Sequence, residues 1–153
     1  MRIIGCGNRD RGDDGAGILV AERLCDLGID AAKHSGEAAS LVEAWEDAAD
    51  VVVIDAVVTG RPAGSVQVWE GEIPPLGVRS SSTHGLGVGE AVRLASALGR
   101  LPARLRIFGI EGARFDVGTG PSFEVLEAVE QVAGRLAAES VGQEWKDVSG
   151  SAR

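Results

Sequence analysis

Five side chains of chemically capable types stand where this chain turns from one element to the next. They are Asp10, Asp13 and Asp14 in "GCGNRDRGDDGAG" (residues 5–17), Asp55 in "VVVIDAVVTGRPAG" (51–64) and His84 in "STHGLGVGEAVRLA" (82–95). The first stretch admits two opposite chemistries: a glycine-rich cradle for phosphate, or a carboxylate-bearing loop for something positive. A dinucleotide fingerprint needs a third glycine three residues after the second. Here the second is Gly7, and Asp10 holds the required position. Acids at that place would repel a pyrophosphate, and no Gly-Lys-Ser/Thr follows to complete a phosphate loop. Nucleotide binding is disfavoured, and a cation is the better match.

Asp13 or Asp14 is expected to cap the helix that follows, since a carboxylate there accepts backbone N–H bonds and meets the positive end of the helix dipole. One acid suffices for a cap, which leaves its neighbour to face a crevice. Asp55 interrupts an apolar run, where an ionised carboxylate is costly unless it stands at the open end of a strand with a partner or a cation. Its plainer alternative is a hydrogen bond to a neighbouring loop. His84, taken alone, reads more as a capping or structural residue before a helix than as a ligand. Taken together, two carboxylates and an imidazole form a mixed oxygen and nitrogen donor set, suited to a divalent ion such as nickel, zinc or manganese. Three protein ligands would leave positions open for water or substrate.

The elements that must position these groups follow from hydrophobic spacing. Residues 2–6 are short, apolar and bounded by glycine, as in a buried strand. From Asp14 to about Leu27, apolar residues recur every three or four positions, and Gly28 ends that helix. A short strand is expected around 31–34 and a helix over 38–49. The run "DVVVIDAVV" (50–58) reads as a strand buried on both faces of a parallel sheet. Residues 64–71 read as an edge strand, 85–99 as a helix and 105–112 as another buried strand. A helix over 121–139 starts with Pro121 in its first turn. The alternation predicts an α/β three-layer sandwich, a twisted, mostly parallel five-stranded sheet with helices on both faces. Such sheets gather ligands at the carboxyl ends of their strands. One domain is expected over 1–140, with a disordered tail from 141 to 153 where the periodicity is lost.

Composition narrows the function classes. With 153 residues, a formal charge of −8 and no basic cluster, the chain is unsuited to nucleic acid. No apolar run reaches the roughly 20 residues that span a bilayer, and charges follow the first residues too soon for a secretory signal. A cytoplasmic protein without a membrane partner is the expectation. Cys6 and Cys25 show no zinc-ligand spacing and read as small buried groups. Ser80, Ser81 and Ser82 adjoin His84 but read as loop residues rather than as a nucleophile.

The order and separation of "GCGNRDRGDDGAG", "VVVIDAVVTGRPAG" and "STHGLGVGEAVRLA", with weaker support from "IFGIEG" (107–112), resemble the hydrogenase maturation endopeptidases. The resemblance covers roughly residues 2–135. It implies an endopeptidase that makes a single cut, removing the C-terminal extension of a nickel-loaded [NiFe] hydrogenase large-subunit precursor; a monomer is the separate expectation for its assembly. By the same resemblance, Asp14, Asp55 and His84 form the catalytic and metal-binding set. The nickel they contact would be carried by the substrate rather than held at rest. Asn8 would brace the loop or face the substrate, and Gly85 and Gly87 would let an extended peptide approach the backbone. The competing expectation is a metal- or small-anion-binding module of the same fold without proteolytic activity.

Overall fold

The computed structural model describes residues 1–71, 79–80 and 87–150. The chain order is β1 (Arg2–Cys6), a 3-10 turn (Gly12–Gly15), α1 (Ala16–Asp26), β2 (Ala32–His34), α2 (Ala38–Ala44), β3 (Asp50–Val58), β4 (Val66–Glu70), β5 (Arg79–Ser80), α3 (Val88–Leu98), β6 (Arg104–Glu111) and α4 (Phe123–Gly150). The main sheet path is β2-β1-β3-β6-β4, and the two-residue β5 pairs with the end of β3. The β2–β1, β1–β3 and β3–β6 pairings are parallel; β4 closes one edge antiparallel to β6. The mostly parallel five-stranded expectation is met, with β5 as a small antiparallel addition.

Strand alternation divides the core into two layers. Val52, Ile54 and Ala56 of β3 pack with Ile3, Phe108 and Ile110 beneath α1 and α4. Val51 and Val53 pack with Ile4, Cys6 and Ile107 beneath α2 and α3. A strand covered on both faces needs apolar residues at successive positions, which is why β3 reads as a continuous run. Trp45, expected on the apolar face of the second helix, is buried in the second layer.

Several boundaries differ from the sequence expectation. The second helix stops at Ala44 rather than 49, and the chain continues in a turn containing Asp47 at φ 63°. Pro121 stands outside the last helix, and the carbonyl of Ser122 accepts the Leu126 N–H instead. That helix does not give way to a disordered tail at 141 but runs to Gly150. Residues 143–146, "QEWK", contain neither proline nor glycine, so the backbone continues as helix. Val141 and Trp145 are 62% and 74% exposed there. Lost apolar periodicity thus marks where α4 becomes largely exposed, not where it ends. Among the described residues, no helix is long and apolar enough to cross a membrane.

Candidate active site

The sheet order reverses direction at β1. From there α1 leads outward to β2, while β3 lies on the opposite side of β1. The carboxyl ends of β1 and β3 therefore flank the topological switch point, the usual crevice of an open α/β sheet. The 3-10 turn follows β1 and packs against β3.

The glycines of the first stretch explain how that turn comes so close. A Cβ on Gly17 would lie 2.3 Å from the Cys6 carbonyl oxygen and 2.4 Å from that of Ile54. Only a glycine lets the start of α1 rest on the backbones of β1 and β3 at once. Gly7, at φ +138°, turns the chain out of β1, and a Cβ there would meet the Asp14 carbonyl oxygen at 2.0 Å. L side chains rarely adopt this backbone conformation. The glycines serve close backbone packing and set the turn that bears Asp13 and Asp14 against the carboxyl end of the sheet.

Asp13 and Asp14 have separate surroundings. Asp13 is fully buried. Its Oδ2 accepts the Ala113 and Arg114 N–H groups at 2.8 and 2.9 Å. Its Oδ1 accepts the Ser122 N–H at 2.6 Å and hydroxyl at 2.9 Å. Burial pushes this carboxyl upward, but the bonds from Ala113, Ser122 and Arg114 outweigh it and hold the group below its ordinary value. Asp13 does not make the expected cap on the following helix, and the residues at the N-cap positions of the 3-10 turn and of α1, Arg11 and Gly15, make no side-chain cap bond. Asp13 reaches instead across the fold to the residue before α4.

Asp14 is 2% exposed, and its Oδ1 lies 3.7 Å from where a Cβ on Gly7 would stand. Asp55 is 3% exposed. Its strand register sets Ile54 beside Gly5, so Asp55 follows next to Cys6 on the α2–α3 face. Burial, and then the negative charge of Asp55, push the Cys6 thiol well above its ordinary range. Such a thiol stays protonated and is a poor nucleophile. Asp14 and Asp55 thus both border Cys6–Gly7 at the end of β1. His84, Gly85, Ser81 and Ser82 lie outside the described residues, as does the side chain of Ser80. The described residues alone contain no group of three His, Cys, Asp or Glu placed to hold a metal ion.

Asn8 braces the loop, its Oδ1 accepting the Asp10 N–H at 2.9 Å. Cys25, expected to be buried, is exposed on α1, while Cys6 is buried as expected. Sequence reasoning passed over one acid, Glu111. It is 1% exposed at the end of β6. It accepts the Thr59 N–H at 2.9 Å, the Thr59 hydroxyl at 2.7 Å and the Arg61 N–H at 2.7 Å, fixing the loop that leaves β3. The signal was available, since Glu111 ends an apolar run much as Asp55 interrupts one.

Residues 35–139 match the hydrogenase maturation protease family. The chain belongs to that family. The hydrogenase expression/formation protein HupD of Thiocapsa roseopersicina is 30% identical over 121 residues, covering 74% of this chain and 55% of that protein. This chain thus spans about half the length of that relative. Among solved structures, the [NiFe] hydrogenase maturation protease HybD from Thermococcus kodakarensis is 26% identical, with a TM-score of 0.73 over 92% of this chain and 99% of that one. The hydrogenase maturating endopeptidase HybD from E. coli, 20% identical, shares the fold, with a TM-score of 0.76 over 94% of each chain. The family match begins after the loop that carries Asp14. Asp14 therefore rests on the crevice geometry and on the motif in which it stands.

Proposed function

We propose that this protein is an endopeptidase that removes the C-terminal extension of a nickel-loaded [NiFe] hydrogenase large-subunit precursor. Family membership supplies the reaction class. The observation that carries the site assignment is the pair of nearly fully buried carboxylates, Asp14 and Asp55, bordering the end of β1 at the switch point. In this reading Asp14, Asp55 and His84 contact the nickel of the substrate, and α3, which begins four positions after His84, covers the sheet face on which Asp55 lies. The donor set is two carboxylate oxygens and an imidazole nitrogen, a combination that suits a divalent ion of nickel's type.

A bound cation of this kind polarises a scissile carbonyl or an attacking water. Asp14 is the group that takes the water's proton, because it stands on a turn at the crevice, whereas Asp55 is locked within β3. Cys6, held protonated, takes no nucleophilic part. The nickel arrives with the precursor and marks it as ready to be cut. In this reading the protein works as a monomer in the cytoplasm.

The test is to incubate the purified protein with nickel-loaded precursor and, separately, with nickel-free precursor, and to weigh the products. Loss of the extension only from the nickel-loaded form is expected. Intact precursor in both arms defeats the proposal, and equal cutting in both defeats the role given to nickel. If Asp14→Asn abolishes metal binding while no precursor is ever cut, the chain is a binding module instead.

A further inference from the structure

We propose that Asp13 is a positioning residue for Asp14, tying the turn that carries the reactive carboxylate to the rigid N-terminal end of α4. The inference rests on the protease reading above. In a 3-10 turn successive side chains diverge by about 120°, so adjacent acids cannot serve the same place. Asp14 is directed over Gly7. Asp13 points the other way, into the segment between β6 and α4, where four donors at 2.6 to 2.9 Å meet its two oxygens.

The backbone laces the same two loops together. Asp13 N–H donates to the Arg114 carbonyl at 2.7 Å, Gly12 N–H to that of Thr119 at 3.0 Å, and Gly118 N–H to that of Asp10 at 2.8 Å. A Cβ on Gly112 would lie 2.9 Å from the Asp13 Cβ, so the β6 exit is shaped to receive this side chain. Ser122 immediately precedes the first residue of α4. A carboxylate bonded there meets the positive end of a 28-residue helix. The turn is thus anchored to two rigid elements, the end of β6 and the start of α4, and Asp14 inherits that fixed position.

The carboxylate cannot be replaced by an amide without loss. Both oxygens accept backbone N–H groups, so whichever way an asparagine turned, its NH2 would face a donor. Asp13→Asn should keep the fold, free the turn and lower kcat on the nickel-loaded precursor by about ten- to a hundredfold per folded molecule. KM should stay within about twofold, because substrate docking is not altered. Hydrogen exchange at the Asp14, Ala113, Arg114 and Ser122 amides should quicken by about tenfold or more, with β3 amides unchanged. Ser122→Ala removes only the hydroxyl bond and should shift kcat and exchange in the same direction by less. Leu136→Ala, in the buried face of α4 some 20 Å along the helix from Ser122, is the stability control: it should lower Tm and leave kcat per folded molecule unchanged.

Wild-type kcat per folded molecule in Asp13→Asn, or a kcat loss matched by Leu136→Ala, overturns the inference. If Asp13→Asn does not fold, Ser122→Ala decides by the same readouts. If the wild type cuts no precursor, the protease reading fails separately. Exchange then decides the tie itself: faster at both loops sustains it, and unchanged overturns it.

Discussion

Arginine-paired acids at the amino end of the sheet and the fully buried acids at its carboxyl end are held in different ways. At the amino end of the parallel strands, acids meet arginines: Glu70 pairs with Arg104 at 2.7 Å, Glu139 with Arg106 at 2.8 Å and Glu46 with Arg100 at 3.3 Å. At the carboxyl end, Asp13 and Glu111 are buried, and their hydrogen bonds come from backbone N–H and hydroxyl groups, which satisfy the oxygens without cancelling the charge. Asp14 and Asp55 stand at that same end. Acids paired with arginine have their charge balanced locally. Acids held by neutral donors leave a negative field at the crevice, and in a low-dielectric setting such a field favours a cation.

Substitutions at each end sharpen this contrast. The largest effect is expected from Asp14→Ala or Asp55→Ala, which should slow precursor processing by about 10²–10⁴-fold while the purified variants keep the circular dichroism of the parent. Gly17→Ala comes next. Its methyl has no room beside the Cys6 and Ile54 carbonyls, so stability should fall by roughly 3 kcal/mol or more in urea melts. Glu111→Ala should cost about 2–3 kcal/mol, because the buried N–H groups of Thr59 and Arg61 lose their acceptor. If Glu111→Ala melts like the parent, the carboxyl end is not braced as described.

The smallest effect should come from Arg104→Ala at the amino end. The bond from Arg104 holds the Glu70 carboxyl below its ordinary value of 4.5, although both groups are open to solvent. A carboxyl with a lowered folded pKa adds stability above its unfolded pKa and loses it as pH falls through the folded one. NMR titration of the variant should show Glu70 returning toward 4.5, and Tm at pH 7 should barely move, since solvent screens such pairs. A large drop in Tm would erase the difference between the two ends.

Much of this was legible in the sequence because it depends on spacing alone. Period-two and period-3.6 patterns mark which residues face inward, so the strands, the three layers and the buried run of β3 could be read directly. Motif order brought the family into view, and with it Asp14, Asp55 and His84. The division of labour between Asp13 and Asp14 was not legible. Local logic assigned one of them to the next helix, whereas Asp13 binds residues 100 to 109 positions away. The exposure of Cys25 and the exposed continuation of α4 past 139 were hidden for the same reason: both depend on which neighbours pack against a helix face.

The chain by itself determined where strands and helices form and which acids lie at their junctions, because backbone preference and hydrophobic period act over a few neighbouring residues. Only the tertiary structure decided which carboxylate braces the fold and which faces the crevice. That choice depends on N–H groups from distant segments being brought within hydrogen-bond reach, and such contacts leave no period in the sequence.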